Sequence, residues 1–199
     1  MKKLKKLVIA TGLMVTMSVG VLTTQSEAAT NYKVKSGDTY WKVASRFGVS
    51  LVELKKANNA TTNMLFAGQN LVIPNSTLSL ADRELLAKLV HAEAKGEPYA
   101  GKVAVATVVL NRVASPDFPN TIREVIYQQA GGHYAFTPVQ NGAINEAPDA
   151  ASRAAVNEAL AYRGQGNGSL FFYNPKTAVS KWVYSREVTV TIGNHRFAK

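Results

Sequence analysis

The stretch YAGKVAVATVVLNRV, residues 99–113, is apolar nearly all the way round its helical circumference. A helix of this kind cannot lie on a surface. Other elements must wrap it on every side, so the second half of the chain has to be a globular domain built around one buried helix. Pro98 suits the first helical position, with Glu97 as the expected cap, and the run SPDFP at 115–119 ends the helix. The preceding segment, LLAKLVHAEAKGEPYAG at 85–101, predicts an amphipathic helix. Glu84, Lys88, His91 and Lys95 make its polar stripe, with Glu84 and Lys88 in pairing register. Leu85, Leu86, Leu89 and Val90 make its core face. Glu93 lies four residues past Leu89 and seven past Leu86, on that core face. Desolvation there would raise its pKa, and a carboxyl that keeps its proton near neutral pH is what a glycosidic oxygen needs from a general acid. Gly96 ends the helix within a turn, so the pattern alone equally allows Glu93 to swing outward.

The N-terminus carries Lys2, Lys3, Lys5 and Lys6, then a charge-free apolar run from Leu7 to Leu22, then small residues at Ser26 and Ala28. This is the layout of a secretory signal peptide over residues 1–28. The alternative is a retained anchor, because the run approaches the length of a spanning helix. Without residues 1–28 the chain keeps 19 basic and 12 acidic side chains, a net charge of +7. A basic exported protein is drawn to polyanions, which outside a bacterial cell are wall polymers and not nucleic acid. There is no cysteine. Disulfides, thiolate nucleophiles and Cys-ligated zinc are therefore excluded, and stability must come from the core.

Residues 32–74 form a compact unit. YKVKSGDTY opens as a strand with a turn at Ser36-Gly37-Asp38, where Asp38 is the expected N-cap of a helix bearing Trp41, Ala44 and Phe47 on one face. Gly48 stops that helix, the S-x-x-E box at Ser50 and Glu53 starts another, and QNLVIP closes the unit as a strand. The order strand, helix, helix, strand, with the blocks YKVKSGDTYWKVASRFGVSLVELKKANN and LFAGQNLVIP, resembles a LysM module along its whole length. That resemblance implies binding of N-acetylglucosamine-containing glycan by the loops beside the helices: Gly37, Asp38 and Thr39 on one side, Asn63, Leu65 and Gly68 on the other. Tyr40 stands where leucine is more usual, as core filler or as an extra stacking face. NSTLS, residues 75–79, is a short polar linker that gives the two units little freedom, and Ser79 with Asp82 caps the first helix of the second domain, residues 80–199.

In that domain HAEAKGEPYAGKVAVATVVLNRVASPDFPNTIREVIYQ, AFTPVQNG, FFYNPKTAVSKWVYSR and IGNHRF resemble, in order, the spore cortex-lytic cell-wall hydrolases of the SleB type. The resemblance implies an α+β chain whose second domain is mainly helical with a small strand-rich portion, similar to lysozyme-like lytic transglycosylases. It implies cleavage of peptidoglycan between N-acetylmuramic acid and N-acetylglucosamine, in spore cortex during germination, with Glu93 as catalytic acid. A lytic transglycosylase needs only that carboxyl, whereas ordinary hydrolysis needs a second one. Asp117, Glu124, Glu146 and Asp149 are the candidates, each in a turn or cap setting.

GGHYAFTPVQNGAI, residues 131–144, has no clear period and is expected to be a long surface loop. Tyr134, Phe136, Thr137 and Gln140 are its candidate glycan contacts, although Phe136 could instead pin the loop to the core. FFYNP adds Tyr173 and Asn174, which the resemblance implies lie beside the active site. Trp182 and Tyr184 alternate with Val183 and Ser185, the pattern of a strand with one aromatic face, either core or sugar platform.

No cofactor is implied. His91, His133 and His195 are scattered over a helix, a loop and a terminal turn, and His91 with Glu93 cannot aim at one metal from a single helix. The H-A-E triplet lacks the cysteines of a zinc deaminase, and neither a nucleophile elbow nor a phosphate loop is present. The partner expected is peptidoglycan, with accessory wall or spore proteins open. The alternatives are a non-catalytic wall-binding or regulatory protein and a vegetative-wall glycosidase.

Overall fold

The computed structural model describes residues 30–165 and 167–199. The leader expected at residues 1–28 lies outside them. In the first unit β1 (Thr30–Lys33) pairs antiparallel with β2 (Asn70–Ile73), and α1 (Tyr40–Phe47) and α2 (Leu51–Ala57) stand between them in sequence. Val34, Tyr40, Val43, Ala44, Leu54, Leu71 and Ile73 form the core, so Tyr40 is core filler. Thr39, not Asp38, caps α1, its hydroxyl accepting from the Lys42 N–H. Asp38 is taken by closer donors: the Tyr32 hydroxyl, the Lys35 N–H and the Arg46 guanidinium. Ser50 and Ser79 cap α2 and α3 (Leu80–Glu93) as their spacing predicts.

The second domain is wound around α4 (Tyr99–Ala114), whose Val105, Ala106, Val108 and Val109 are fully buried. Packed against it are α3, α5 (Ile122–Ile126) and α7 (Ala150–Ala161), and a three-stranded sheet closes the remaining side. In that sheet β7 (His195–Ala198) is central, antiparallel to β5 (Phe171–Tyr173) and to β6 (Val188–Ile192). Four local expectations are corrected. Glu97 does not cap α4, because the β6–β7 turn brings it two better donors, Asn194 N–H and Asn194 Nδ2, each at 3.0 Å. Glu84 pairs with Arg153 of α7 at 2.8 Å, a fork geometry that Lys88 cannot offer. Residues 181–185 form a 3₁₀ turn and not a strand, with Val183 alone buried. Residues 131–144, expected to be a long surface loop, hold β4 (His133–Tyr134), paired with β3 (Gln129–Ala130), then α6 (Thr137–Asn141) and a 3₁₀ turn at Ala143–Asn145.

The two units are packed against each other. Ala161 of α7 is fully buried in the core of the first unit, and Trp41 lies 6.3 Å from Tyr162. Arg83 Nη1 donates to the Phe47 carbonyl and the Ser76 hydroxyl to the Gly48 carbonyl. Gly48 has φ +60, and a Cβ there would come within 2.6 Å of Arg83 Nη1 and 2.7 Å of Asn157 Oδ1. Only glycine serves both the helix stop and this close approach.

Candidate active site

Glu93 is the last residue of α3, directly beyond the buried face made by Leu86, Leu89 and Val90. Its carboxyl reaches a cleft of about 370 Å³. The walls are Phe136 and Thr137 at the start of α6, Phe172 to Asn174 at the end of β5, Thr177 to Val179, Arg112 and His195. Burial pushes the Glu93 carboxyl up from 4.5 to about 7, with the Arg112 charge pulling the other way. The outward-swung alternative is thereby excluded.

Arg112 comes from the last turn of α4, where the helix C-terminus favours a cation. It is 7% exposed. Nε donates to the Leu170 carbonyl at 2.7 Å, and the guanidinium carbon lies 5.0 Å from the ring centres of Phe118 and Phe136 and 5.5 Å from that of Phe171. These contacts hold it in place without neutralising it. Burial lowers its pKa to about 10, against the opposing pull of Glu93, so it stays charged at neutral pH. His195 lies 5.3 Å from Phe172, its Nδ1 without a partner. Burial lowers its pKa, Glu97 raising it in part.

Of the residues expected around the cleft, Phe136, Thr137, Tyr173 and Asn174 are brought together with Glu93. Tyr134 belongs to the β3–β4 hairpin and Gln140 to the exposed side of α6, and neither is part of the cleft wall. Phe136 is 2% exposed and packs on Phe172, so it both pins its segment and lines the cleft. Arg112, Phe172 and His195 were missed by sequence reasoning. Arg112 had a signal, a charge inside an otherwise apolar helix, the same anomaly that marks Glu93. Phe172 lies in FFYNP, the stretch whose Tyr173 and Asn174 were expected beside the site, and His195 had no signal of its own.

The other candidate carboxylates lie outside the cleft wall. Asp149 caps α7, Glu124 accepts from the Thr121 hydroxyl, Glu146 faces Lys95 at 3.6 Å, and Asp117 lies in the turn after α4. Glu93 is the one carboxylate among the described residues lining the cleft. Among the described residues no group of three or more His, Asp or Glu is placed to hold a metal.

In the first unit the β1–β2 pairing extends past β1, the Val34 N–H donating to the Gln69 carbonyl and the Gly68 N–H to the Val34 carbonyl, which fixes the end of the second expected loop. Gly37 and Gly68 have positive φ and open space around them. Asn63 accepts from Lys55 Nζ, Leu65 packs on the core, and Asp38 and Thr39 are engaged as described. Met64 and Phe66 beside them are exposed.

A small βααβ unit ahead of a mainly helical domain with one buried acid in an aromatic cleft defines a class, a glycan-binding-type module joined to a lysozyme-like domain. The Cell Wall Hydrolase family profile matches residues 96–198 and the LysM domain profile residues 32–74. The chain belongs to the Cell Wall Hydrolase family and carries an N-terminal LysM domain. It is 35% identical over 172 residues to a spore cortex-lytic enzyme of Bacillus cereus, covering 86% of this chain and 64% of that one. It is 44% identical over 116 residues to one of Halalkalibacterium halodurans, covering 58% and 34%. The chain thus spans between a third and just under two thirds of these relatives. Among solved structures, the catalytic domain of the germination-specific lytic transglycosylase SleB from Bacillus anthracis superposes with a TM-score of 0.56 at 41% identity, over 64% of this chain and all of that one.

Proposed function

We propose that this chain is an exported peptidoglycan-degrading enzyme that cleaves the glycan strand between N-acetylmuramic acid and N-acetylglucosamine, with Glu93 as its single catalytic carboxyl. One observation carries the reading: a buried carboxyl, pushed up to about 7 by its burial, is the lone acid among the described residues lining an aromatic cleft. A protonated Glu93 delivers its proton to the bridging oxygen, and the C–O bond breaks through an oxocarbenium-like state. Inverting and retaining hydrolases both need a second carboxylate beside the sugar. No second one among the described residues lines this cleft, which favours attack by the C6 hydroxyl of the same muramic acid, its proton passing to the Glu93 carboxylate. The product is a 1,6-anhydro end, and Glu93 returns to its acid form.

Phe136, Phe172 and Tyr173 supply apolar faces for the sugar rings, and Thr137 and Asn174 supply hydrogen bonds. The loops of the LysM domain, 37–39 and 63–68, hold the glycan, so the target is a wall or spore-envelope polymer. The similarity to spore cortex-lytic enzymes supports cortex peptidoglycan, degraded during germination, as that target. The test is digestion of purified cortex and vegetative peptidoglycan by wild type and Glu93→Gln, with products read by mass spectrometry. Anhydro-muropeptides are expected from wild type and none from the variant. Equal release by both removes Glu93 from the mechanism, and reducing ends without anhydro products replace the single-acid route with hydrolysis.

A further inference from the structure

Arg112 has a counterpart near the other end of the apolar helix α4. Lys102 is 8% exposed, and the reaction at Glu93 does not use it. The position is unfavourable twice over, because burial strips an ammonium of water and the N-terminal end of a helix repels a cation. The compensation comes from a different helix. Lys102 Nζ donates at 3.1 Å to the carbonyl of Ala94, the C-cap residue of α3 and the immediate neighbour of Glu93. The last carbonyls of a helix have no partner within it and form the negative end of its dipole, so a buried cation suits them and holds the final turn. The same carbonyl accepts from the Glu97 N–H at 3.1 Å, across the turn at Gly96. The chain just past the acid is thus gripped from two sides. The other charged groups in this region stand farther from Lys102. Asp149 Oδ2, at the cap of α7, lies 3.9 Å from Nζ and 3.5 Å from His91 Nδ1, and Glu146 faces Lys95 at 3.6 Å and His91 Nε2 at 3.9 Å. Among the described residues the Ala94 carbonyl is the one hydrogen-bond partner of Lys102 Nζ.

We propose that Lys102 is a positioning residue for the catalytic acid: its hydrogen bond to the Ala94 carbonyl keeps the last turn of α3 closed and so holds the Glu93 carboxyl in the cleft. The proposal rests on the reading of Glu93 as that acid. Two routes of action differ in sign. A lysine acting through its charge would favour the Glu93 carboxylate, and its removal would raise the Glu93 pKa. A lysine acting through the Ala94 carbonyl keeps Glu93 out of water, and its removal lowers that pKa toward the ordinary value. Of the charges near the cleft, that of Arg112 is the one felt by Glu93, which favours the second route.

The experiment measures kcat, KM and the pH dependence of kcat/KM on solubilised glycan strands, together with amide hydrogen exchange of the same chains without substrate. Lys102→Met keeps the length of the side chain and loses the donor. It is expected to lower kcat about 10–100-fold with KM little changed, since a displacement of about an ångström at the acid suffices. Its alkaline limb should move to lower pH, and the Ala94 and Glu97 amides should exchange faster while those of the α4 core do not. Lys102→Gln keeps an N–H donor without the charge and is expected to restore most of all three. A lysine that served stability alone would leave the limb in place. An unmoved limb or unchanged exchange in Lys102→Met overturns the proposal, and so does a limb that moves to higher pH in either variant. Where Lys102→Met does not fold, Lys102→Gln decides: a wild-type limb and wild-type exchange support the hydrogen bond, and an upward shift assigns the effect to charge and overturns it. Full activity in Glu93→Gln refutes the catalytic assignment instead and leaves the hydrogen exchange to judge the hold on Ala94.

Discussion

Replacing Glu93 by glutamine should stabilise the protein, and only above a definite pH. An unfolded glutamate titrates near 4.5, whereas burial in the cleft holds the folded carboxyl to about 7. Between those values the folded state binds the extra proton, so stability falls as pH rises from 4.5 and the loss is complete above about 7. Below 4.5 both states are protonated and the group contributes nothing. The interval corresponds to on the order of 3 kcal/mol of destabilisation at alkaline pH, an upper figure because the carboxyl also sees some solvent. Glutamine keeps the shape and neutrality of the protonated acid and never ionises. The assay is urea unfolding of wild type and Glu93→Gln at about pH 4 and about pH 8.5, taking the difference of the two stability differences. Every other titrating group is common to both chains and cancels. A gain confined to the higher pH is expected, in the same variant that loses cleavage, which is the exchange of stability for function common at buried catalytic acids. A stability difference that is the same at both pH values refutes the desolvated acid, and with it the reason for assigning Glu93 the proton.

Three more outcomes follow from the same geometry. Arg112→Gln removes the one charge that pulls the Glu93 pKa down, so the alkaline limb of the pH–rate profile should move to higher pH, while Arg112→Lys should move it less; an unmoved limb dissociates the two groups. Gly48→Ala places a Cβ at φ +60 against Arg83 and Asn157, and should cost about 1–2 kcal/mol by urea unfolding, partly relieved by movement of those two side chains; a cost within error means that the LysM and catalytic domains are not held together there. Gly193→Ala forces a Cβ, at φ +58, onto Glu97 Oε2 and within 2.8 Å of Pro98 Cδ. It should break the Glu97–Asn194 link, lower Tm and reduce cleavage through the displaced His195, so a wild-type Tm would count against the tight turn.

The sequence carried most of the helices because their signals are local. Ser50 and Ser79 each lie three residues before the N–H they cap, and the all-apolar run of α4 allowed only a buried helix. Glu93 was legible for the same reason, as an exception to a 3.6-residue period. What failed depended on distant partners. Glu97 and Glu84 behaved as their local spacing predicts until Asn194, 97 residues away, and Arg153, 69 residues away, arrived with better hydrogen-bond geometry. Trp182 and Tyr184 alternate like a strand, yet β6 and β5 already flank β7, and the aromatic pair turns instead around Phe171 and Tyr173. Glycine-rich 131–144 concealed its short elements because β4 and α6 are too brief to establish a period.

Glu93 and Arg112 are two forms of one anomaly, an acid on the core face of α3 and a cation in the apolar helix α4, and neither makes sense alone. Burial by itself would drive the carboxyl pKa higher still, giving an acid that holds its proton well and donates it poorly. A cation by itself would ionise the carboxyl at neutral pH and leave no proton to give. Together they hold the group near 7, where the protonated fraction and the tendency to donate are balanced. The fixed positive charge has a cost, since it opposes an oxocarbenium ion, but the opposition is offset as the reaction proceeds. In the proposed reaction the Glu93 carboxylate left after proton transfer attracts both the guanidinium and the sugar cation. The aromatic rings of Phe118, Phe136 and Phe171 keep Arg112 in place throughout without supplying an anion that would quench it. A carboxylate ligand for Arg112 would do that, and would leave the cleft with an acid that never releases its proton.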